Sequence, residues 1–148
     1  MRGLMDEKLV EIREYIGPGY QPVIDFGDWR VAILNYLDEV HPENIRSMER
    51  HNETDEVFVL ERGRAVLFIG EGESQIEKIH PQVMVPGKMY NIKRGVWHTV
   101  ALTRDASILL VENRNTAREN SNYVDLTAAD RKFIQETVRR EQPGCWPD

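Results

Sequence analysis

The stretch Asp55-Glu56-Val57-Phe58-Val59-Leu60-Glu61-Arg62-Gly63 is rich in β-branched and aromatic residues and ends in a turn pair. In an extended strand, Glu56, Phe58 and Leu60 share one face while Val57 and Val59 share the other. Arg62-Gly63 then turns the chain into Arg64 to Ile69, a second apolar run. An acid at the head of an apolar row is costly to bury unless it is paired or bound to a metal.

The same grammar repeats on both sides. Trp29 to Leu37 is an apolar run broken by His41-Pro42-Glu43-Asn44, and Gly70 to Ser74 is a polar loop tip before a weaker strand pattern from Gln75 to Val85. Pro86-Gly87 precedes Lys88 to Ile92, and Lys93-Arg94-Gly95 turns into Val96 to Leu102. Thr103-Arg104-Asp105 leads into Ala106 to Glu112, whose unbroken apolar character predicts a strand buried on both faces. Many short strands separated by turn residues point to an all-β sandwich or barrel.

The ends read differently. Leu9, Ile12 and Ile16 recur at helical spacing, so a short helix is expected over 6–16, stopped by Gly17-Pro18-Gly19. Residues 113–122 are polar and read as a surface excursion, and Tyr123 to Leu126 as a last strand. Thr127 then reads as an N-cap with Asp130 three residues on, opening a helix over 127–140 with Phe133, Ile134, Thr137 and Val138 on its apolar stripe. The expectation is one domain over 1–148, with its β core at about 21–126.

Bulk properties narrow the function. The 148 residues carry a formal net charge of -6 and 30% charged residues, and the pI is about 5.3. Neither nucleic acid nor an anionic membrane suits such a surface. Arg131, Lys132, Arg139 and Arg140 are interleaved with Asp130, Glu136 and Glu141, which makes a solvated helix face. The single cysteine, Cys145, rules out an intrachain disulfide framework and a multi-cysteine zinc site. The first residues lack the apolar stretch of a signal peptide and no run reaches membrane-spanning length, so a cytoplasmic protein is expected.

Of the four histidines, His41 and His80 precede prolines and read as surface residues. His51 stands just before the Glu56 strand, and His98 begins a row shared with Val100 and Leu102. If those rows face inward, two imidazoles and a carboxylate meet at strand ends, a donor set that suits Fe, Mn, Ni or Zn. Against this stand ordinary strand-end histidines and a simple ion pair of Glu56 with Arg50 or Arg64.

These residues resemble the two sequence motifs of the cupin superfamily. The first reads His-x-His, four residues, Glu, six residues, Gly; Glu56 and Gly63 are in register, and His51 falls on the second histidine. The second reads Gly, five residues, Pro-x-Gly, two residues, His, three residues, Asn; Gly87, Gly95 and His98 are in register. The resemblance spans about residues 45 to 112. Glu49 replaces the leading histidine, Lys93 the proline and Leu102 the asparagine.

The resemblance implies an antiparallel jelly-roll β-barrel with a small-molecule pocket and a divalent metal (Mn, Fe, Ni or Zn) on His51, Glu56 and His98. Glu49 is then a fourth ligand, a catalytic base or a residue turned away. Two functions remain open: a metal-dependent enzyme on a small polar metabolite, by isomerase, epimerase or dioxygenase chemistry, and a non-catalytic binding module with or without metal. Tyr36, Tyr90 and Trp97 are candidates for the pocket wall, Trp97 more naturally packing outside. A second copy of the chain is the expected partner, with the N-terminal helix and the Cys145-Trp146-Pro147 tail at the interface. The last four residues are expected to be loose.

Overall fold

Ten strands form, and their alternating side chains sort them into two antiparallel sheets. The computed structural model describes residues 3–146. The first sheet joins β1 (Tyr20–Phe26), β2 (Trp29–Asn35), β9 (Ser107–Asn113), β4 (Glu56–Arg62) and β7 (Met89–Ile92) in that order. The second joins β10 (Ser121–Asp125), β3 (Ser47–His51), β8 (Trp97–Leu102), β5 (Ala65–Glu71) and β6 (Lys78–Val83). Pro22 and Pro81 lie in β1 and β6, both edge strands, where a missing N–H breaks no ladder.

The inner faces pack on each other. Phe58, Leu60, Ile108 and Leu110 of the first sheet share one core with Leu67, Val100 and Leu102 of the second. Among the described residues no ladder joins the two sheets, so the expected barrel is a two-sheet sandwich. One helix, α1 (Ala128–Glu141), covers the outer face of the second sheet. Ile134 and Val138 build a second core with Val66, Phe68 and Ala101. Thr127 caps the helix as expected: its hydroxyl accepts from Asp130 N at 3.1 Å, and the Asp130 carboxylate accepts from Thr127 N at 3.1 Å.

That helix decides which strand is buried on both faces. Ala65 to Phe68 of β5 are all buried, because odd residues meet the sandwich core and even ones meet α1. β9, expected to be the doubly buried strand, buries Ile108, Leu110 and Glu112 but leaves Leu109 and Val111 half-exposed. No described helix covers its sheet.

The expected N-terminal helix over 6–16 does not form. A single turn closes where Leu9 N and Val10 N donate to Asp6 O at 2.9 and 3.0 Å, and the rest is irregular. Leu9, Ile12 and Ile16 remain 76%, 70% and 83% exposed. A helix this short needs a partner for its apolar stripe, and the described residues offer none. The C-terminal tail corrects the opposite way: the Trp146 indole donates to Leu102 O at 2.8 Å and packs against the second core. Pro147 and Asp148, also expected to be loose, lie outside the described residues. No described helix is long and apolar enough to cross a membrane.

Candidate metal centre

Four strands bring donors to one end of the sandwich. His51 closes β3, Glu56 opens β4, His98 is the second residue of β8 and Glu112 stands near the end of β9. Moving inward along the same faces, the chain replaces three of the donors by apolar side chains: Glu56 by Phe58, His98 by Val100, Glu112 by Leu110. All four donors are buried, with 8% exposure for His51, 4% for Glu56, 2% for His98 and 5% for Glu112.

His98 Nε2 lies 3.1 Å from Glu56 Oε1, and His51 Nε2 lies 3.5 Å from the same oxygen. The two imidazoles meet edge to face at 5.3 Å between centroids. Glu49 is set further out: its carboxylate is 3.8 Å from His51 Nε2 and 3.9 Å from His98 Nε2, and 41% exposed. His51, Glu56 and His98 are thus brought together, with Glu49 at their outer side. Among the described residues Glu56 pairs with neither Arg50 nor Arg64, and Arg50 lies over the Trp97 ring at 4.4 Å.

The outer nitrogens fix the tautomers. His98 Nδ1 is 3.0 Å from Val96 O, a carbonyl that can only accept, so Nδ1 carries the proton. His51 Nδ1 is 2.8 Å from Ser121 Oγ, and that hydroxyl already donates to Ala117 O at 2.7 Å. It must accept from His51, whose Nδ1 is therefore protonated too. In their neutral forms both rings aim an Nε2 lone pair at one carboxylate oxygen, and His51 Nε2 is buried without a hydrogen bond. Such convergence is repulsive unless a cation or extra protons stand between, and Nδ1 bonds of this kind orient ligating histidines.

The electrostatics agree. Burial alone would raise the Glu56 carboxyl, but the two imidazoles outweigh it and hold it below the usual carboxylate range. Burial works against protonated His51 and His98, yet Glu56 beside them lifts both above the ordinary imidazole value. Glu112 moves the other way. Burial and the neighbouring Glu56 charge push it up to about 8. The Tyr20 hydroxyl donates to Glu112 and is itself pushed up, by burial and that carboxylate.

Two overlapping donor sets can hold a metal ion: Glu49, His51 and His98, and His51, Glu56 and Glu112. Glu112 and Tyr20 are the residues that sequence reasoning missed. Glu112 was visible as the acid ending the row Ile108-Leu110-Glu112, the antiparallel mirror of Glu56-Phe58-Leu60. Tyr20 gave no such signal, because Pro22 and the register shift at Ile24 obscure β1.

A cavity of about 710 Å³ opens onto this cluster. Tyr20 and Tyr123 line it; Tyr36, Tyr90 and Trp97 do not. Trp97 packs in the second core with its indole donating to Gly72 O at 2.9 Å. Tyr90 accepts from Val85 N at 2.9 Å, and Tyr36 lies under Arg104. His80 is at the surface against Glu71, as expected, and His41 accepts from Glu43 N at 3.2 Å in its turn.

No protein-family model and no curated protein matches the chain. Solved structures do. A Streptomyces Pac13 variant with uridine aligns with a TM-score of 0.51 at 8% identity, covering 77% of this chain and 84% of Pac13. CapF with the inhibitor 3-isopropenyl-tropolone gives 0.50 at 15% identity over 76% of this chain and 34% of CapF. A cupin-2 domain protein from Shewanella frigidimarina gives 0.44 at 20% identity, covering 73% of this chain and 90% of that one. At such identities the likeness is one of fold.

Proposed function

The chain is a small cupin-fold protein, and on that premise we propose that His51, Glu56 and His98 hold a divalent metal at which a small metabolite is bound and turned over. The reading rests on the two Nε2 lone pairs that converge on Glu56 Oε1, each set by a hydrogen bond on the far side of its ring. Two imidazoles with one or two carboxylates suit Mn, Fe, Ni or Zn. Held by these residues, such an ion would supply Lewis-acid polarisation of a ligand oxygen. Around it, Glu49 at the outer side and the Glu112–Tyr20 pair at the inner side are groups able to take or give a proton.

Acids on two sides of the centre favour isomerase or epimerase chemistry, which moves a proton, over dioxygenase chemistry, which needs free coordination positions for oxygen. Pac13 with uridine and CapF with its inhibitor are proteins of similar fold that take small molecules, and support a ligand in this cavity. The second reading is a metal-free binding pocket. The raised imidazoles favour it, because protonated His51 and His98 satisfy Glu56 without an ion.

Elemental analysis of tag-free protein purified without added metal separates the two. The expected result is near-stoichiometric Mn, Fe, Ni or Zn. Loss in Glu49→Gln makes that residue a ligand; retention removes it from the ligand set and leaves it a base or a residue turned away. A wild type that is empty, and stays empty after dialysis against each metal, leaves only the metal-free pocket.

The partner is a second copy of the chain. The exposed Leu9, Ile12 and Ile16, with Phe26 at 71% exposure on edge strand β1, form apolar surface that a monomer leaves in water. Sedimentation equilibrium is expected to show a dimer, and Leu9→Glu with Ile12→Glu a monomer. A wild-type monomer at micromolar concentration refutes this.

A further inference from the structure

The cavity at the donor cluster has two chemically different halves. At the donor end stand the imidazoles and carboxylates. Beyond them Phe58, Val100 and Leu110 form a floor, and Leu34, Leu37 and Val40 form a side wall from β2 and the segment after it. The three wall residues are only partly buried, so apolar surface faces the space. The polar lining includes Arg118, resting 4.9 Å above the Tyr123 ring, and Arg46.

A sugar or other polyol needs a hydrogen-bond partner for each hydroxyl it buries, and these six apolar side chains supply none, which leaves Asn44, Ser47, Thr99 and Thr116 of the same lining to serve it. An apolar body gains from the same surfaces. The volume, about 710 Å³, also exceeds what a three-carbon acid fills. Glu39, Glu49, Glu56 and Glu112 also line the cavity, so it is a divalent ion at the donors together with Arg46 and Arg118, and not the arginines alone, that favours an anion. We infer that the ligand is an amphipathic acid: an oxygen-bearing anionic head at the His51–Glu56–His98 end, and an apolar body of several carbons along Phe58, Val100, Leu110, Leu34 and Leu37. This rests on the metal-centre reading and narrows its substrate from any small polar metabolite to one class.

Calorimetric titration of manganese-loaded protein with straight-chain 2-oxo acids, pyruvate to 2-oxooctanoate, with ribose alongside, tests it. Affinity is expected to rise about fourfold per methylene until the cavity fills, with ribose weaker than 2-oxohexanoate. Leu37→Asn is expected to flatten the series while metal content and melting temperature stay unchanged. In metal-loaded protein, a flat series, no binding at all, or ribose as tight as 2-oxohexanoate overturns the inference. Manganese content is measured on the same samples. If the wild type takes up no metal, the metal-centre reading falls, and the series on metal-free protein then tests the apolar wall alone: a rise with chain length upholds it and a flat series ends it.

Discussion

His98→Ala is expected to lose metal binding, with affinity falling by more than ~100-fold, beyond the 10–100-fold that outer-shell partners of a metal site contribute. The side chain is 2% exposed, its Nδ1 is tied to Val96 O, and its Nε2 stands 3.1 Å from Glu56 Oε1. No other described donor occupies that position. Ser121→Ala is the graded control. It removes only the acceptor that holds the His51 tautomer, so a loss of about tenfold is expected. Equal metal affinity in wild type and His98→Ala, by competition with a chromogenic chelator, sinks the proposed centre.

The pH dependence has a definite sign. His51 and His98 are raised by Glu56, so in metal-free protein their protonated forms stabilise the fold below the unfolded imidazole value. That contribution is lost as pH rises through the raised folded values. Glu56 is held low, so its contribution is present above the unfolded carboxyl value and is lost only as pH falls through the folded one. A metal competes with the two imidazole protons, so its affinity should tighten across the neutral range as pH rises, with proton release on binding. Affinity that is flat between pH 6 and 8 contradicts this.

Much of this arrangement was legible in the residues. Glu56-Phe58-Leu60 and His98-Val100-Leu102 declare their inward rows by period-two alternation, and Gly63, Gly87 and Gly95 mark the turns between strands. Helix α1 was legible from its cap and its stripe of Ile134 and Val138. What failed was tertiary. The apolar spacing of Leu9, Ile12 and Ile16 is helical, but no surface among the described residues receives it, and spacing without a partner makes no helix. The run Ala106 to Glu112 looks doubly buried, but only the placement of α1 decides which strand gains a second cover. Glu112 hid for the same reason: an acid at a strand end reads as solvated until the other strands of its own sheet, β4 and β1, show Glu56 and Tyr20 beside it.

Gly63→Ala is expected to be a strongly destabilising single-methyl change, and Gly87→Ala measures why. Both glycines are left-handed, at φ +74° and +84°. Alanine at either pays the backbone cost of that region, about 1–2 kcal/mol. At Gly87 a methyl meets nothing within 4 Å. At Gly63 it would stand 2.4 Å from Ala106 Cα and 2.6 Å from Ala106 N, backbone atoms of the turn entering β9. That turn is held by Ala106 N donating to Thr103 O at 3.0 Å, while Thr103 Oγ accepts from Arg64 N at 3.0 Å. It cannot retreat without pulling on β9, where β4 and β9 already shift register between Leu60 and Arg62. Overpacking of this kind adds about 1–3 kcal/mol, so Gly63→Ala should cost about 3–4 kcal/mol in all and lower the melting temperature by roughly 10 °C. Gly87→Ala should lower it by less than half of that. Similar losses in both variants, by thermal unfolding followed with circular dichroism, would mean that the left-handed backbone alone sets the cost, and that the close approach of β4 to the β9 turn yields to a methyl group.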